Sequence, residues 1–327
     1  MCWGYNSNAQ VGDQTMVDRV VPTPVLGLPG PIAGLEAGAL HSCAVSTAGV
    51  LTCWGTTAAV QPPSAVPVVI PLPGPVRDVG AGLFVTCAVL AGPGALAGTL
   101  WCWGANAGGS YVGNGSTTGA VSSPVQLAFD AGVRQVVGGW SHLCALLDDG
   151  RAFCWGANGQ GQLGVDAGSA SATPVEVTVD GGLVSLTARG DVSCGQRVDG
   201  RVVCWGDNLG SAIAAGGVDQ SVPVDHHQVT EPVAAVAVGA WTSYFHLLDG
   251  GLDCTGSLVG LCGSSSFSVA RRQVPGVPSA TLVRGGTGFA CAELPDAGVA
   301  CWGQGLFGQT GTGVDAGLVP PTRPTGL

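Results

Sequence analysis

The 327-residue chain is 46% hydrophobic and only 10% charged, with 56 Gly and 21 Pro. That composition excludes a disordered chain and, with no collagen period, assigns the glycines and prolines to many short turns. The net charge is −10, all eleven basic residues are Arg and no apolar run nears the roughly 18 residues of a membrane helix, so nucleic acid, an anionic membrane surface and a membrane span are excluded as expectations.

Cys2-Trp3-Gly4 opens the chain, and the triplet returns at Cys53, Cys102, Cys154, Cys204 and Cys301, with a worn Cys-Thr-Gly at Cys254. The intervals are 51, 49, 52, 50, 50 and 47 residues. A period near fifty marks one supersecondary unit stacked many times, so residues 1–327 are expected to form a single repeat domain. Each period divides into four segments. The first carries apolar residues three apart: Ile32 and Leu35, Val76 and Val79, Val133 and Val136, Leu183 and Leu186, Val233 and Val236, Ala280 and Val283. Spacing of three suits a helix, but four to six residues before a Gly is strand length. The second segment is Gly38-Ala-Leu-His-Ser-Cys-Ala-Val in the first full copy, and an Asp- and Gly-rich turn such as Asp148-Asp149-Gly150 follows it. The third ends in Cys-Trp-Gly. The fourth opens with Pro and Val, at Pro24, Pro67, Pro124, Pro174 and Pro223, which places it on the outer edge, where no ladder hydrogen bond is lost. Four antiparallel strands repeated radially make an all-β propeller.

The Asn- and Gly-rich run Trp155-Gly-Ala-Asn-Gly-Gln-Gly-Gln-Leu-Gly164, with the strand Gly139-Trp-Ser-His-Leu-Cys-Ala-Leu146, resembles the regulator of chromosome condensation repeat. The resemblance covers essentially the whole chain, strongest at Trp155 and weakest at Trp54 and Cys254. It implies a seven-bladed propeller. Seven third-strand copies but only six second-strand copies, at Cys43, Cys87, Cys144, Cys194, Tyr244 and Cys291, leave one blade incomplete at the N-terminus. The expectation is a truncated propeller, open or poorly closed beside Trp3, with its missing strands and a signal peptide upstream of Met1.

Ten of the thirteen cysteines pair by rule: Cys43 with Cys53, Cys87 with Cys102, Cys144 with Cys154, Cys194 with Cys204, and Cys291 with Cys301. Zinc knuckles of the Cys-x-x-Cys kind are absent, which favours disulfides over metal. In the fifth full period Tyr244 and Thr255 take the usual Cys and Trp places, and Cys262 is the local substitute partner for Cys254, beside a looser Ser264-Ser265-Ser266 loop. Disulfides imply an oxidising compartment: extracellular, cell surface or periplasmic. The resembled family normally lacks these cysteines, a departure that points to a secreted, bacterial-type variant.

His41 and His142 match the family's structural His, and the Asp225-His226-His227 run is expected to be a solvated edge. Glu36, Glu176, Glu231 and Glu293 form no carboxylate couple, and no phosphate loop or nucleophile elbow occurs, so neither a cofactor nor enzyme activity is expected. The Asp-Ala-Gly triplets at Asp130, Asp166, Asp296 and Asp315 suit turns better than calcium loops. Resembling proteins act as nucleotide-exchange factors, a plant ultraviolet photoreceptor and secreted β-lactamase inhibitors. The resulting expectation is a secreted or surface scaffold binding a protein partner through one rim, with a secreted enzyme inhibitor or a propeller hydrolase or lyase as alternatives. Strand reversal puts Leu83, Phe84, Trp140 and Trp241 in loops on the same rim as Tyr111 and Phe307. Those six either form an exposed apolar patch or pack under neighbouring loops.

Overall fold

The computed structural model describes residues 1–327 apart from 58–59, 108–110, 167, 210–212, 215, 257–261, 263–270 and 315. The looser loop at Ser264-Ser265-Ser266 and the turn at Asp315 therefore lie outside the described residues. Among the described residues, six four-stranded antiparallel sheets and one two-stranded sheet make up an all-β propeller. Every full sheet is a meander in chain order; the first runs Ile32–Ala37, His41–Ser46, Leu51–Thr57, Val60–Val69 from channel to rim of the ring. The hairpin turns have the expected chemistry. Gly150 and Gly200 adopt φ of 89° and 83°, and the Asp149 and Asp199 side chains accept from the backbone two residues on, at 3.1 and 3.0 Å.

Each residue of Cys-Trp-Gly has a separate mechanical task. Alternation along the strand sends Cys and Trp to opposite faces. The Cys faces its partner on the second strand in register, as Cys144 does Cys154 at a Cα separation of 4.1 Å. The Trp packs backwards on the apolar residue that ends the preceding blade: Trp103 on Ile70, Trp155 on Leu127, Trp205 on Val177, Trp302 on Val274. The Gly lets the third strand pass close to the start of the second. A Cβ on Gly104, Gly156, Gly206 or Gly256 would stand 2.1 to 2.3 Å from a backbone carbonyl oxygen, of Phe84, Ser141, Asp191 and Trp241 respectively, and each of these glycines has φ above 100°.

The two-stranded sheet, Cys2–Gly4 with Arg19–Thr23, supplies the outer half of a further blade between the sixth and the first. Trp3 Nε1 donates to the Gln309 carbonyl at 2.9 Å, repeating Trp54 to Gln10 at 2.8 Å and Trp205 to Gln162 at 3.0 Å. Trp54 in turn lies with Val25 of the half-blade around Gly12. The expectation of an open ring beside Trp3 is corrected accordingly. The repeat's own blade-to-blade contact joins the half-blade to the sixth blade, and among the described residues that half-blade has two strands.

The fifth blade is repacked rather than loosened. Thr255 stands where other blades bury Trp, and the vacated volume is taken by Phe245, at a position that is Ala44, Ala88 and Ala145 elsewhere, and by His226, at the position of Ile70 and Val177. His226 is wholly buried, its ring 4.7 Å from that of Phe245 and its Nε2 3.3 Å from Thr255 Oγ1. Because its Nδ1 accepts the Gln228 backbone N–H at 3.3 Å, the ring proton sits on Nε2 and is donated to Thr255. A solvated edge was the wrong reading of His226. The run ends the outer strand and turns inward, where a polar ring fits because a hydroxyl replaces the indole. On the other face Tyr244 meets the Trp302 ring at 5.8 Å, and Cys254 is bonded to Cys262.

Candidate protein-interaction rim

Asparagine and glutamine build the loops between third and fourth strands. The buried Asn6, Asn106, Asn158 and Asn208 side chains each accept a backbone N–H five or six residues on, from Val11, Val112, Leu163 and Ile213, at 2.8 to 3.1 Å. Gln10, Gln162 and Gln309 accept, through Oε1, the N–H two residues before them at 2.8 to 2.9 Å, while their carbonyls receive the next Trp. Loops held this way present side chains from a rigid base.

The six aromatic and apolar rim residues separate into two sets. Trp140 and Trp241 meet edge to face, with ring centroids 6.0 Å apart, over the short Gly190-Asp191 loop of the blade between them, and both are half-buried. Leu83 donates its N–H to the Trp140 carbonyl at 2.8 Å, and Leu83, Phe84 and Tyr111 are likewise half-buried. Phe307 is different. It is 46% exposed and packs edge to face, at 5.4 Å, on Tyr5, itself 41% exposed, with exposed Leu306 alongside. Tyr5 and Leu306 were missed in the sequence reading; their signal was position, since Tyr5 directly follows a Cys-Trp-Gly and Leu306 follows another at Cys301.

Arg189 reaches across the channel mouth and donates to the Ala37 carbonyl of the first blade at 2.9 Å. Behind it, burial raises the carboxyls of Glu36 and Asp78 to about 7 and about 6, opposed by nearby arginines. The buried His41 and His142 bond the next blade, at 2.7 Å from Nε2 to Thr86 Oγ1 and to Ser193 Oγ. Among the described residues no cluster of His, Cys, Asp or Glu could hold a metal ion, and no helix is long and apolar enough to cross a membrane.

Burial lowers the His41 and His142 imidazoles to about 4. Unfolded, each takes its proton near pH 6.5. The stability each neutral ring contributes is thus complete above pH 6.5 and lost as pH falls towards 4, by about 3 kcal/mol apiece. The raised Glu36 and Asp78 act in the opposite sense, so the effect is isolated by substitution. The stability deficit of His142→Gln relative to the parent, from denaturant melts, is expected to shrink by about 3 kcal/mol between pH 7 and 4. A deficit independent of pH would contradict the neutral buried ring.

Residues 2–45 and 149–198 match the model of the regulator of chromosome condensation (RCC1) repeat, and residues 133–162 match a second model of that repeat. The chain is a β-propeller in which residues 2–45 and 133–198 are similar to the RCC1 repeat. It is 28% identical over 170 residues to the ultraviolet-B receptor UVR8 of Arabidopsis thaliana, covering 50% of this chain and 38% of that protein. It is 27% identical over 173 residues to the secretion-regulating guanine nucleotide exchange factor of Bos taurus, covering 49% and 37%. The chain thus matches less than two fifths of either relative's length. Yeast RCC1 (Prp20), in its crystal structure with Kap60, superposes with a TM-score of 0.85 at 20% identity over 98% of this chain and 82% of that one. At that identity the likeness shows a shared propeller fold over nearly the whole chain.

Proposed function

We propose that this propeller is an extracellular or otherwise oxidising-compartment scaffold that binds a protein partner through the rim beside Tyr5 and Phe307, and that it binds without doing chemistry. The exposed Tyr5–Phe307 pair, with Leu306, carries the reading, because exposed aromatics on a rigid base are the anchors that dominate protein interfaces. Six disulfides support the compartment. Yeast RCC1, whose fold this chain shares, is itself a protein found bound to another protein, Kap60.

The test is cross-linked capture from extracellular extract of the native source, with parent and Tyr5→Ala/Phe307→Ala chains. Loss of a specific captured protein is expected, with stability changed by less than about 0.5 kcal/mol. Unchanged capture by the double variant defeats the rim assignment. If the captured protein is an enzyme, its inhibition by the parent chain alone would make the scaffold an inhibitor.

A further inference from the structure

The tryptophan pair on the rim meets because two small residues make room for it. At the place Trp140 holds in the third blade, two residues before the second strand, the fourth and fifth blades carry Gly190 and Ala240. A Cβ on Gly190 would stand 3.0 Å from Ala240 Cα, so these two loops touch, and the Trp140 N–H bonds the Gly190 carbonyl at 2.7 Å. Over that low stretch the Trp140 and Trp241 rings stand with their planes 82° apart, each half-buried. Two indoles nearly at right angles are two sides of an aromatic corner, and the open part of an indole face attracts a cation.

Carboxylates stand beside the corner. Asp191 follows Gly190 directly, and its Oδ1 accepts from the buried Gln162 amide at 2.9 Å. The Asp207 N–H bonds the Asp191 carbonyl at 2.9 Å, and Asp219 accepts the Asn208 N–H at 3.0 Å. Burial raises the Asp191 carboxyl against its Gln162 bond, and the charges of Asp207 and Asp219 add to the rise; burial and the adjoining Asp219 raise Asp207 as well. No cation offsets these charges. Residues 207–219 include no Lys, Arg or His, and none of the nine ion pairs among the described residues involves the three carboxylates. Eight of those pairs lie at the opposite rim or on the strand ends leading to it, and the ninth, Arg19 with Asp13, is in the half-blade. Arg189, next to Gly190 in the chain, is turned into the channel mouth and bonds Ala37.

We propose that the Trp140–Trp241 corner, with Asp191, Asp207 and Asp219, is a docking surface for an arginine side chain projecting from a partner protein. Charge complementarity commits the occupant to a cation, and flat aromatic faces beside carboxylates select guanidinium, whose plane stacks on an indole while its edge donates two parallel hydrogen bonds to a carboxylate. An ammonium uses the charge but not the plane. Leu209 and Val218, 64% and 68% exposed on the same loop, supply the apolar surround that keeps water out of such a contact. The surface belongs to the third, fourth and fifth blades, so it does not rest on the Tyr5–Phe307 pair of the half-blade and sixth blade.

The probe is a synthetic peptide of arginines separated by Gly-Ser pairs, titrated at low salt into the whole oxidised chain and followed by tryptophan fluorescence and calorimetry, beside matched lysine and citrulline peptides. Saturable binding of the arginine peptide is expected, about tenfold tighter than the lysine peptide and weakened by salt, with none for the uncharged citrulline peptide. Asp207→Asn with Asp219→Asn keeps the carbonyl oxygens that accept the Leu209 and Asn208 N–H groups, so the melting temperature should hold while affinity falls about tenfold. Trp241→Leu should lower affinity about fivefold, and the Tyr5→Ala/Phe307→Ala chain should bind the peptide as the parent does. The proposal is overturned if the parent does not bind the arginine peptide, or if the citrulline peptide or the double Asn variant binds equally well. Lysine or tetramethylammonium matching arginine would also overturn it, by making the corner a general cation surface.

Discussion

Gly206→Ala is expected to destabilise the chain by more than about 4 kcal/mol, and Gly4→Ala by only about 1–2 kcal/mol. Both glycines occupy the third place of Cys-Trp-Gly and both have φ slightly above 100°. The backbone strain of placing Ala there is therefore common to the two. What differs is the neighbour. At Gly206 a methyl would stand 2.1 Å from the Asp191 carbonyl oxygen, which is backbone and fixed by its own acceptance of the Asp207 N–H at 2.9 Å. At Gly4 the nearest atom is 3.6 Å away. Denaturant melts of the two variants, under oxidising conditions so that the disulfides stay intact, measure the difference. Equal losses would show that φ alone accounts for the glycine.

Much of this architecture was legible in the amino-acid sequence because it is written many times over. A residue type recurring at one place in each period, such as the Trp that packs backwards or the Gly beneath a carbonyl, reports a contact made repeatedly, and repetition separates it from chance. The four-strand order and the outer position of the Pro-bearing strand followed from local rules of turn and edge. Closure was misjudged for a physical reason. Counting strands treats a blade as indivisible, but the contact that joins the half-blade to the sixth blade, Trp3 to Gln309, uses only the outer half. The rim was half-legible. Loop membership placed all six residues on one side, yet whether Trp140 is exposed depends on Trp241 reaching it across an intervening blade, which no local pattern encodes. His226 was misread for the same reason, since its burial depends on what residues 245 and 255 are in the next blade.

That dependence yields the largest coupling expected in the molecule. Thr255→Trp restores the residue that Trp54, Trp103, Trp155, Trp205 and Trp302 supply elsewhere, yet alone it is expected to cost about 3 kcal/mol or more, because His226 and Phe245 already fill the space. His226→Val alone removes a ring and its hydrogen bond to Thr255, and the cavity left should cost about 2–3 kcal/mol. Combining Thr255→Trp with His226→Val and Phe245→Ala recreates the arrangement at Trp205, where Val177 lies under the indole and the position equivalent to 245 is the small Gly195. The triple variant should return to within about 1 kcal/mol of the parent, against a sum of single losses several times larger, and that non-additivity is the signature of residues sharing one volume. Purely additive losses in the melts would mean that His226 is held by something other than the absence of the tryptophan. The same variants read out specificity of assembly: a blade whose packing residues are exchanged as a set should keep its native disulfide between Cys254 and Cys262, whereas the single Thr255→Trp variant should lose it in part as the blade's third strand is pushed out of register.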